Sequence, residues 1–246
     1  MKNLAVDIGN TSVKLGLFAA DQLVATTRLD DIWHPDFKIW VTNHLPENII
    51  LSTVGVTVAS DVLAFLRKQT KHCLLLDHTT PLPITNAYGT PETLGKDRLA
   101  AVCGAQALFP GTHCLVIDAG TCITVDILQA NGVYRGGNIA PGLRMRLRAM
   151  HEFTARLPLA DREWPGQWIG DSTQQALQNG ALWGALLEMQ GYAARCRDEF
   201  GHLNVLLTGG DSLFLAKKWK SQIFVNQNLV LYGLNKILSH NVERSE

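Results

Sequence analysis

Apolar and polar positions fall in short blocks along this chain, and one block order is used twice. Leu4-Ala5-Val6-Asp7-Ile8 reads as an apolar strand that ends on an acidic residue, and Gly9-Asn10-Thr11 supplies turn chemistry. Val13-Lys14-Leu15-Gly16-Leu17-Phe18 resumes as a strand, and Ala20-Asp21-Gln22 turns the chain into Leu23-Val24-Ala25-Thr26. In the second half Leu115-Val116-Ile117-Asp118 is again a strand closed by an acid, followed by the turn Ala119-Gly120-Thr121. Thr124–Leu128 is its second strand, and Ala130-Asn131-Gly132 turns into Val133-Tyr134. The two acids stand 111 positions apart (118 − 7) in a chain of 246 residues. A repeat of about half the chain length predicts two similar lobes. We divide them as 1–113 and 114–246 and expect the ligand in the cleft between them.

The intervening stretches predict an α/β chain. Asn48–Val54 reads as a buried strand, Asp61–Lys71 as a helix, and Cys73–Leu76 as another strand. Pro91–Leu108 reads as a helix after a Pro-rich loop, and Leu143, Leu147 and Met150 share a helix face after Pro141-Gly142. Ser172 to Phe200 is a long helix opened by Ser172 and Gln175 as a capping box. Val205–Thr208 is a late strand, and Asn228–His240 a closing helix with Val230, Leu234, Ile237 and Leu238 on one face.

Composition narrows the functional classes. Hydrophobic residues make up 46% and charged residues 18%, which fits a folded rather than a disordered chain. Lys plus Arg and Asp plus Glu each number 22, so no global field selects nucleic acid or an acidic membrane. The apolar run after Met1-Lys2-Asn3 is too short for a signal peptide, and no stretch reaches membrane-span length. The 5 cysteines form no C-x-x-C pair and the 8 histidines no metal-ligand cluster, so we expect reduced thiols, a cytoplasmic protein and no structural zinc.

An acid followed at once by Gly and small hydroxyl or amide residues suits phosphate chemistry. Glycine lets the backbone turn tightly and expose N–H groups to an anion, and Thr11, Ser12 and Thr121 add hydroxyl donors. Asp7 and Asp118 would repel phosphate directly, so a cation is expected between, and carboxylates are hard ligands suited to Mg²⁺. Taken singly, each Asp-x-Gly also reads as an ordinary β-turn; the matched pair carries the signal. A third glycine site, Thr208-Gly209-Gly210-Asp211, follows a strand and precedes a helix, a junction that lets a flat ligand or phosphate approach the backbone. No G-x-G-x-x-G follows a strand, which argues against a dinucleotide site. Gly89–Lys96 only approximates a phosphate-binding Walker loop, with Asp97 where Ser or Thr is required.

Together with Asp7-Ile8-Gly9-Asn10-Thr11-Ser12, Asp118-Ala119-Gly120-Thr121 and Thr208-Gly209-Gly210, two further strings complete a set. They are Tyr88-Gly89-Thr90-Pro91-Glu92-Thr93-Leu94-Gly95-Lys96-Asp97-Arg98 and Gly136-Gly137-Asn138-Ile139-Ala140-Pro141-Gly142. Over nearly the whole chain this resembles the type III pantothenate kinases, and the Tyr88–Arg98 string is its most specific part. The resemblance implies a duplicated ribonuclease H-like (actin-like ATPase) α/β fold, two lobes with mixed sheets and an interlobe cleft. It implies ATP-dependent phosphorylation of pantothenate to 4′-phosphopantothenate, the first step of coenzyme A synthesis, by a homodimer using Mg²⁺ and K⁺ or NH₄⁺. By position it makes Asp97 the general base and Asp118 the monovalent-cation ligand, with Asp7 a possible Mg²⁺ ligand. Asp7, Ile8, Gly9, Asn10, Thr11, Ser12, Val13, Lys14 and Thr121 would hold ATP. Tyr88, Gly95, Lys96, Asp97, Arg98 and Thr173 would line the pantothenate pocket.

The chemistry of these residues agrees with such roles. Phosphoryl transfer needs positioning, charge neutralisation and a group to accept the attacking hydroxyl's proton, and Arg98 offers a planar fork to a carboxylate. Read locally, Asp97 is equally a first-turn acid favoured by the helix dipole, and Thr173 a plain helix-start residue. Gly180 and Gly184 make a small-residue face that suits either a dimer contact or an internal one. Arg144, Arg146, Arg148 and Arg156 read first as a solvated face, and His113 and His151 as structural. Cys122 places a thiol beside the second turn, a departure from the small residues and threonines usual in the resembled family. Two alternatives stay open: a kinase for another small hydroxylated substrate, and a non-catalytic ATP-binding regulator.

Overall fold

The structure, a computed structural model, describes residues 1–55 and 58–244. The chain falls into two compact units, one of Met1–Gly111, Leu128–Gly136 and Asn228–Glu246, the other of Thr112–Ile127 and Gly137–Gln227. A single cut after residue 113 gives the closing helix to the second lobe; the contacts give it to the first.

In the first unit, β1 (Lys2–Ile8), β2 (Val13–Ala19), β3 (Gln22–Leu29), β4 (Asn48–Thr53) and β5 (His72–Leu75) form a sheet in the order β3-β2-β1-β4-β5. β1 pairs antiparallel with β2 and parallel with β4, and β4 pairs parallel with β5. The central β1 is buried along most of its length, whereas the edge strand β3 alternates exposed and half-buried positions. On one face Leu4, Val6, Leu15, Ile49 and Leu51 pack with Phe37 and Val41 of α1 (Pro35–His44) and Val62 and Leu66 of α2 (Ser60–Gln69). Helix α1 lies outside the elements expected above, although Pro35 in its first turn and Asp36 behind it are helix-opening residues.

The remaining helices of this unit are α3 (Lys96–Leu108) and, last in the chain, Leu229–Glu243. The expected helix from Pro91 is interrupted: Pro91–Thr93 makes a single 3₁₀ turn, and Leu94 and Gly95 are extended before α3 begins. The break puts Asp97 in the first turn of α3 instead of mid-helix. Leu229–Glu243 packs on β1 and on α3, where Gly104 and Gly233 bring the two backbones together. An added Cβ on Gly233 would lie 1.7 Å from the Ala100 carbonyl oxygen, and one on Gly104 would lie 2.5 Å from that of Leu229. Buried amides tie the same helix to the sheet: Asn48 Nδ2 donates to Asn3 Oδ1 (3.0 Å) and Asn3 Nδ2 to Asn235 Oδ1 (2.9 Å). A two-residue strand, β6 (Thr85–Asn86), pairs parallel with Val133–Tyr134.

The second sheet holds β7 (His113–Ala119), β8 (Cys122–Leu128), β9 (Val133–Pro141), β10 (Leu203–Thr208) and β11 (Phe224–Val225), of which Leu128 and Val133–Gly136 count with the first unit. Read from the meander outward their order is β9-β8-β7-β10-β11, the order of β3-β2-β1-β4-β5 repeated. β10 is parallel to β7 and β11 to β10, as β4 is to β1 and β5 to β4. The repeat read from the two Asp-Gly turns is thus a repeat of sheet topology.

Between β9 and β10 lie α4 (Leu143–Glu152) and the 28-residue α5 (Thr173–Phe200), followed after β10 by the short α6 (Ser212–Ala216). Leu182, Leu186 and Met189 of α5 join Leu115, Ile117, Val205 and Leu207 of the sheet in one core. Ser172 caps α5 by accepting from Gln175 N–H (3.4 Å), but the return half of the capping box goes elsewhere: Gln175 Oε1 accepts from Asp171 N–H (3.4 Å). The closing helix Leu229–Glu243, numbered α7, buries Val230, Leu234, Ile237 and Leu238 as its periodicity predicts. Among the described residues, no helix is long and apolar enough to cross a membrane.

Candidate active site

The first Asp-Gly turn sits at the end of β1. Asp7 lies opposite Lys14 on β2 and Ser52 on β4, so three polar residues meet at the end of a buried sheet. Gly9 N–H donates to Ser12 O (3.0 Å), closing the turn, while Asn10 and Thr11 are exposed at its tip. Ile8 and Val13 behave differently from their neighbours. Both side chains are buried in the unit's apolar core, which leaves only their backbone to face a ligand. Lys14 is half-buried and Ser12 likewise.

The Tyr88–Arg98 string gathers in the same unit around Tyr88. Its ring stacks on that of Tyr134, with centroids 6.2 Å apart and planes 7° apart, and the Arg98 guanidinium carbon lies 5.5 Å from its centroid. Arg98 is 4% exposed, so its cation lies against the Tyr88 ring and out of bulk water. The Asp97 carboxylate accepts from the backbone N–H of Arg98 (2.8 Å) in the first turn of α3. A side chain on Gly95 would displace the Asp97 carboxylate, because an added Cβ would stand 2.6 Å from Asp97 Oδ1. Lys96 opens the helix and is half-buried. The Gly136-Gly137 string contributes something no single-segment pattern shows. Gly136 has φ +96° and faces the Tyr88 ring so closely that a Cβ would lie 2.9 Å from it.

The second Asp-Gly turn, in the other unit, is built against the Gly-Gly site. Thr208 is the Cα partner of Asp118 across β10 and β7. Gly209, at φ +90°, then brings its backbone so near that an added Cβ would be 2.4 Å from both Asp118 Oδ1 and the Ala119 carbonyl oxygen. Gly120 N–H donates to Cys122 O (2.9 Å), and Gly142 N–H to Thr121 O (3.1 Å). Asp118, the Ala119 carbonyl, Thr121 and Gly209 therefore share one corner made mainly of hard oxygen donors and backbone. Cys122 is half-buried beside it.

Other residues singled out in the sequence have structural partners. Arg146 pairs with Glu188 and donates from Nε to Pro141 O (2.8 Å), and Arg148 pairs with Glu152 one helical turn on. His151 is bonded to Leu157 O (2.7 Å) and His113 stacks on Phe200. Thr173 is exposed at the first position of α5. Gly180 and Gly184 would meet nothing within 4 Å if they carried a Cβ, so no described element packs closely on that face.

Comparison with known proteins shows the family. Residues 3–195 match the family described as type III pantothenate kinase. A type III pantothenate kinase of Bacteroides fragilis is 44% identical over 239 residues, covering 97% of this chain and 98% of that protein. One of Phocaeicola vulgatus is 41% identical over the same length and coverage. Among solved structures, a protein from Campylobacter jejuni assigned to the Baf family of transcriptional activators aligns with a TM-score of 0.61 at 21% identity, over 98% of this chain and 99% of that one. The activator of the 2-hydroxyisocaproyl-CoA dehydratase from Clostridium difficile aligns with a TM-score of 0.56 at 12% identity, over 100% and 97%. At such identities the structural likeness speaks for the fold alone.

Proposed function

The chain belongs to the type III pantothenate kinase family, and on that premise we propose that it transfers the γ-phosphoryl group of ATP to pantothenate, giving 4′-phosphopantothenate for coenzyme A synthesis. The observation that carries the acceptor side is the packed set Tyr88, Asp97, Arg98, Tyr134 and Gly136. Pantothenate is a carboxylate with a primary hydroxyl. Arg98, fixed on the Tyr88 ring, offers the planar cation that a carboxylate pairs with. Tyr88, Gly95, Lys96 and Thr173 complete the pocket in this reading.

Asp97 accepts the hydroxyl proton as the new O–P bond forms and the bond from the γ-phosphorus to the β-phosphate oxygen breaks. The backbone N–H of Arg98 at the start of α3 orients its carboxylate. A weak base suffices, because the transferred group passes through a loose transition state in which the attacking oxygen needs little prior deprotonation. Asp7 to Lys14 and Thr121 hold ATP, with Ile8 and Val13 contributing backbone alone.

Mg²⁺ is bound by one or two carboxylates plus substrate phosphates and water, a demand that Asp7 with Ser52 beside it fits. K⁺ or NH₄⁺ fits the corner of Asp118 and the Ala119 carbonyl. Bound there, these cations would neutralise phosphate charge near the two acids. The family's homodimeric habit is supported by the open Gly180–Gly184 face of α5 and the exposed Leu187 on the same helix. We expect a sedimentation mass of twice 27.0 kDa, and a monomer at micromolar concentration would remove the dimer from this reading. The five free thiols and the use of ATP support a cytoplasmic place of action.

A coupled assay of ADP release, with pantothenate and with a panel of other small alcohols, tests the function. Turnover is expected with pantothenate, and to fall when Na⁺ replaces K⁺. Turnover of another alcohol alone would move the enzyme to a different substrate, and indifference to the monovalent ion would take Asp118 out of its role.

A further inference from the structure

We propose that Arg162 and Asp211 are a positioning pair that holds the Thr208-Gly209-Gly210 turn in its ATP-binding form. The inference rests on the reading that this turn, with the second Asp-Gly turn, handles ATP.

The turn is pinned from inside by its own backbone. Asp211 N–H donates to Ala119 O (2.9 Å) and Ser212 Oγ to Gly209 O (2.7 Å). Asp211 stands at the N-cap of α6, where an aspartate ordinarily accepts from the helix's first amides. Here its side chain makes no such bond. It forms an ion pair with Arg162, which comes from the long connection between α4 and α5. That connection is fastened to the same corner twice more. The Arg162 guanidinium lies 4.7 Å from the Phe214 ring centroid, and Trp164 stacks on Phe214 at 5.1 Å and 12°. Trp164 Nε1 also donates to Phe214 O (3.3 Å).

Charge explains why the turn needs the arginine. Asp118 Oδ1 already lies against Gly209, so Asp211 is a second carboxylate flanking the segment that must accept a polyanion. Burial pushes the Asp211 carboxyl up, and Arg162 first and then Arg144 draw it back down. The pair's side chains are only 27% and 13% exposed, so losing Arg162 would leave an acid poorly neutralised by water beside the phosphates.

The test combines Arg162→Ala, Arg162→Lys and the double variant Arg162→Ala/Asp211→Asn with calorimetric binding of a non-hydrolysable ATP analogue with Mg²⁺, steady-state kinetics and thermal melting. Arg162→Ala should weaken analogue binding and raise KM for ATP about tenfold, with KM for pantothenate within about twofold of wild type. Arg162→Lys should fall between, and removing the orphaned acid in the double variant should restore most of the affinity. A lowered melting temperature with unchanged ATP affinity in Arg162→Ala would make the pair structural only and overturn the proposal. If Arg162→Ala does not fold, Arg162→Lys decides, since wild-type ATP affinity in it overturns the proposal too. Failure of the wild-type protein to bind the analogue would instead sink the ATP reading of the turn.

Discussion

Asp97→Asn is expected to lower kcat by about 10²- to 10⁴-fold, the range that removal of a positioned general base costs, or about 3 to 5 kcal/mol on the barrier. The substitution is close to isosteric, and its amide oxygen can still accept the Arg98 N–H that the carboxylate accepts now. The melting temperature should therefore move little, and KM for ATP should stay near wild type. What is lost is the capacity to take up a proton from the attacking hydroxyl. A variant with near-wild-type turnover and unchanged melting would show that Asp97 is a helix-start acid and nothing more. Loss of activity with loss of melting temperature would make the residue structural instead.

Gly233→Ala should be the most damaging single methyl group in the molecule. Its Cβ would fall 1.7 Å from the Ala100 carbonyl oxygen, 2.5 Å from the Ala100 carbonyl carbon and 2.8 Å from Gly104 N. All three are main-chain atoms, so no rotamer change makes room and the two helices must separate. Alanine's better helix propensity returns about 1 kcal/mol. The net loss is expected to reach about 3 kcal/mol, at the upper end of overpacking. For a chain of this size that corresponds to a melting temperature lower by roughly 6 to 12 °C. Gly191→Ala on α5 is the control, because nothing lies within 4 Å of its added Cβ. Equal melting temperatures for the two variants would overturn the claim that backbone contact holds α3 to α7.

Much of this architecture was legible because it is written locally. The two meanders, each an apolar strand closed by Asp and a Gly turn, need only period-2 patterning and turn chemistry to be recognised, and the repeated strand order bears them out. Helix α5 was legible to within a residue, since Ser172 caps it and Gly201 follows Phe200. Pro91 misled for an equally local reason. It opens a turn, but Leu94 and Gly95 are extended after it, a break that only Gly95, a poor helix former, marks in the sequence. The Tyr88–Tyr134 stack, the Gly104–Gly233 crossing and the Arg162–Asp211 pair each join segments far apart in sequence. A single chain read in order carries no sign of which distant partner each residue will meet. Candidate site residues could be named one segment at a time; what holds them in place could not.

The return of α7 to the first unit has a consequence for how the protein is made. On a ribosome that has just finished residue 111, α3 still lacks the helix that will cover it, and the amide of Asn3 still lacks Asn235. Translation at about 5 to 20 residues per second leaves this incomplete unit waiting on the order of ten seconds while the second unit is synthesised. During that interval the apolar face of α3, the helix with Asp97 in its first turn, stays open to other nascent chains. The helix that covers α3 thus emerges only after the second unit, so a message cut short before residue 229 yields a first unit whose α3 stays uncovered.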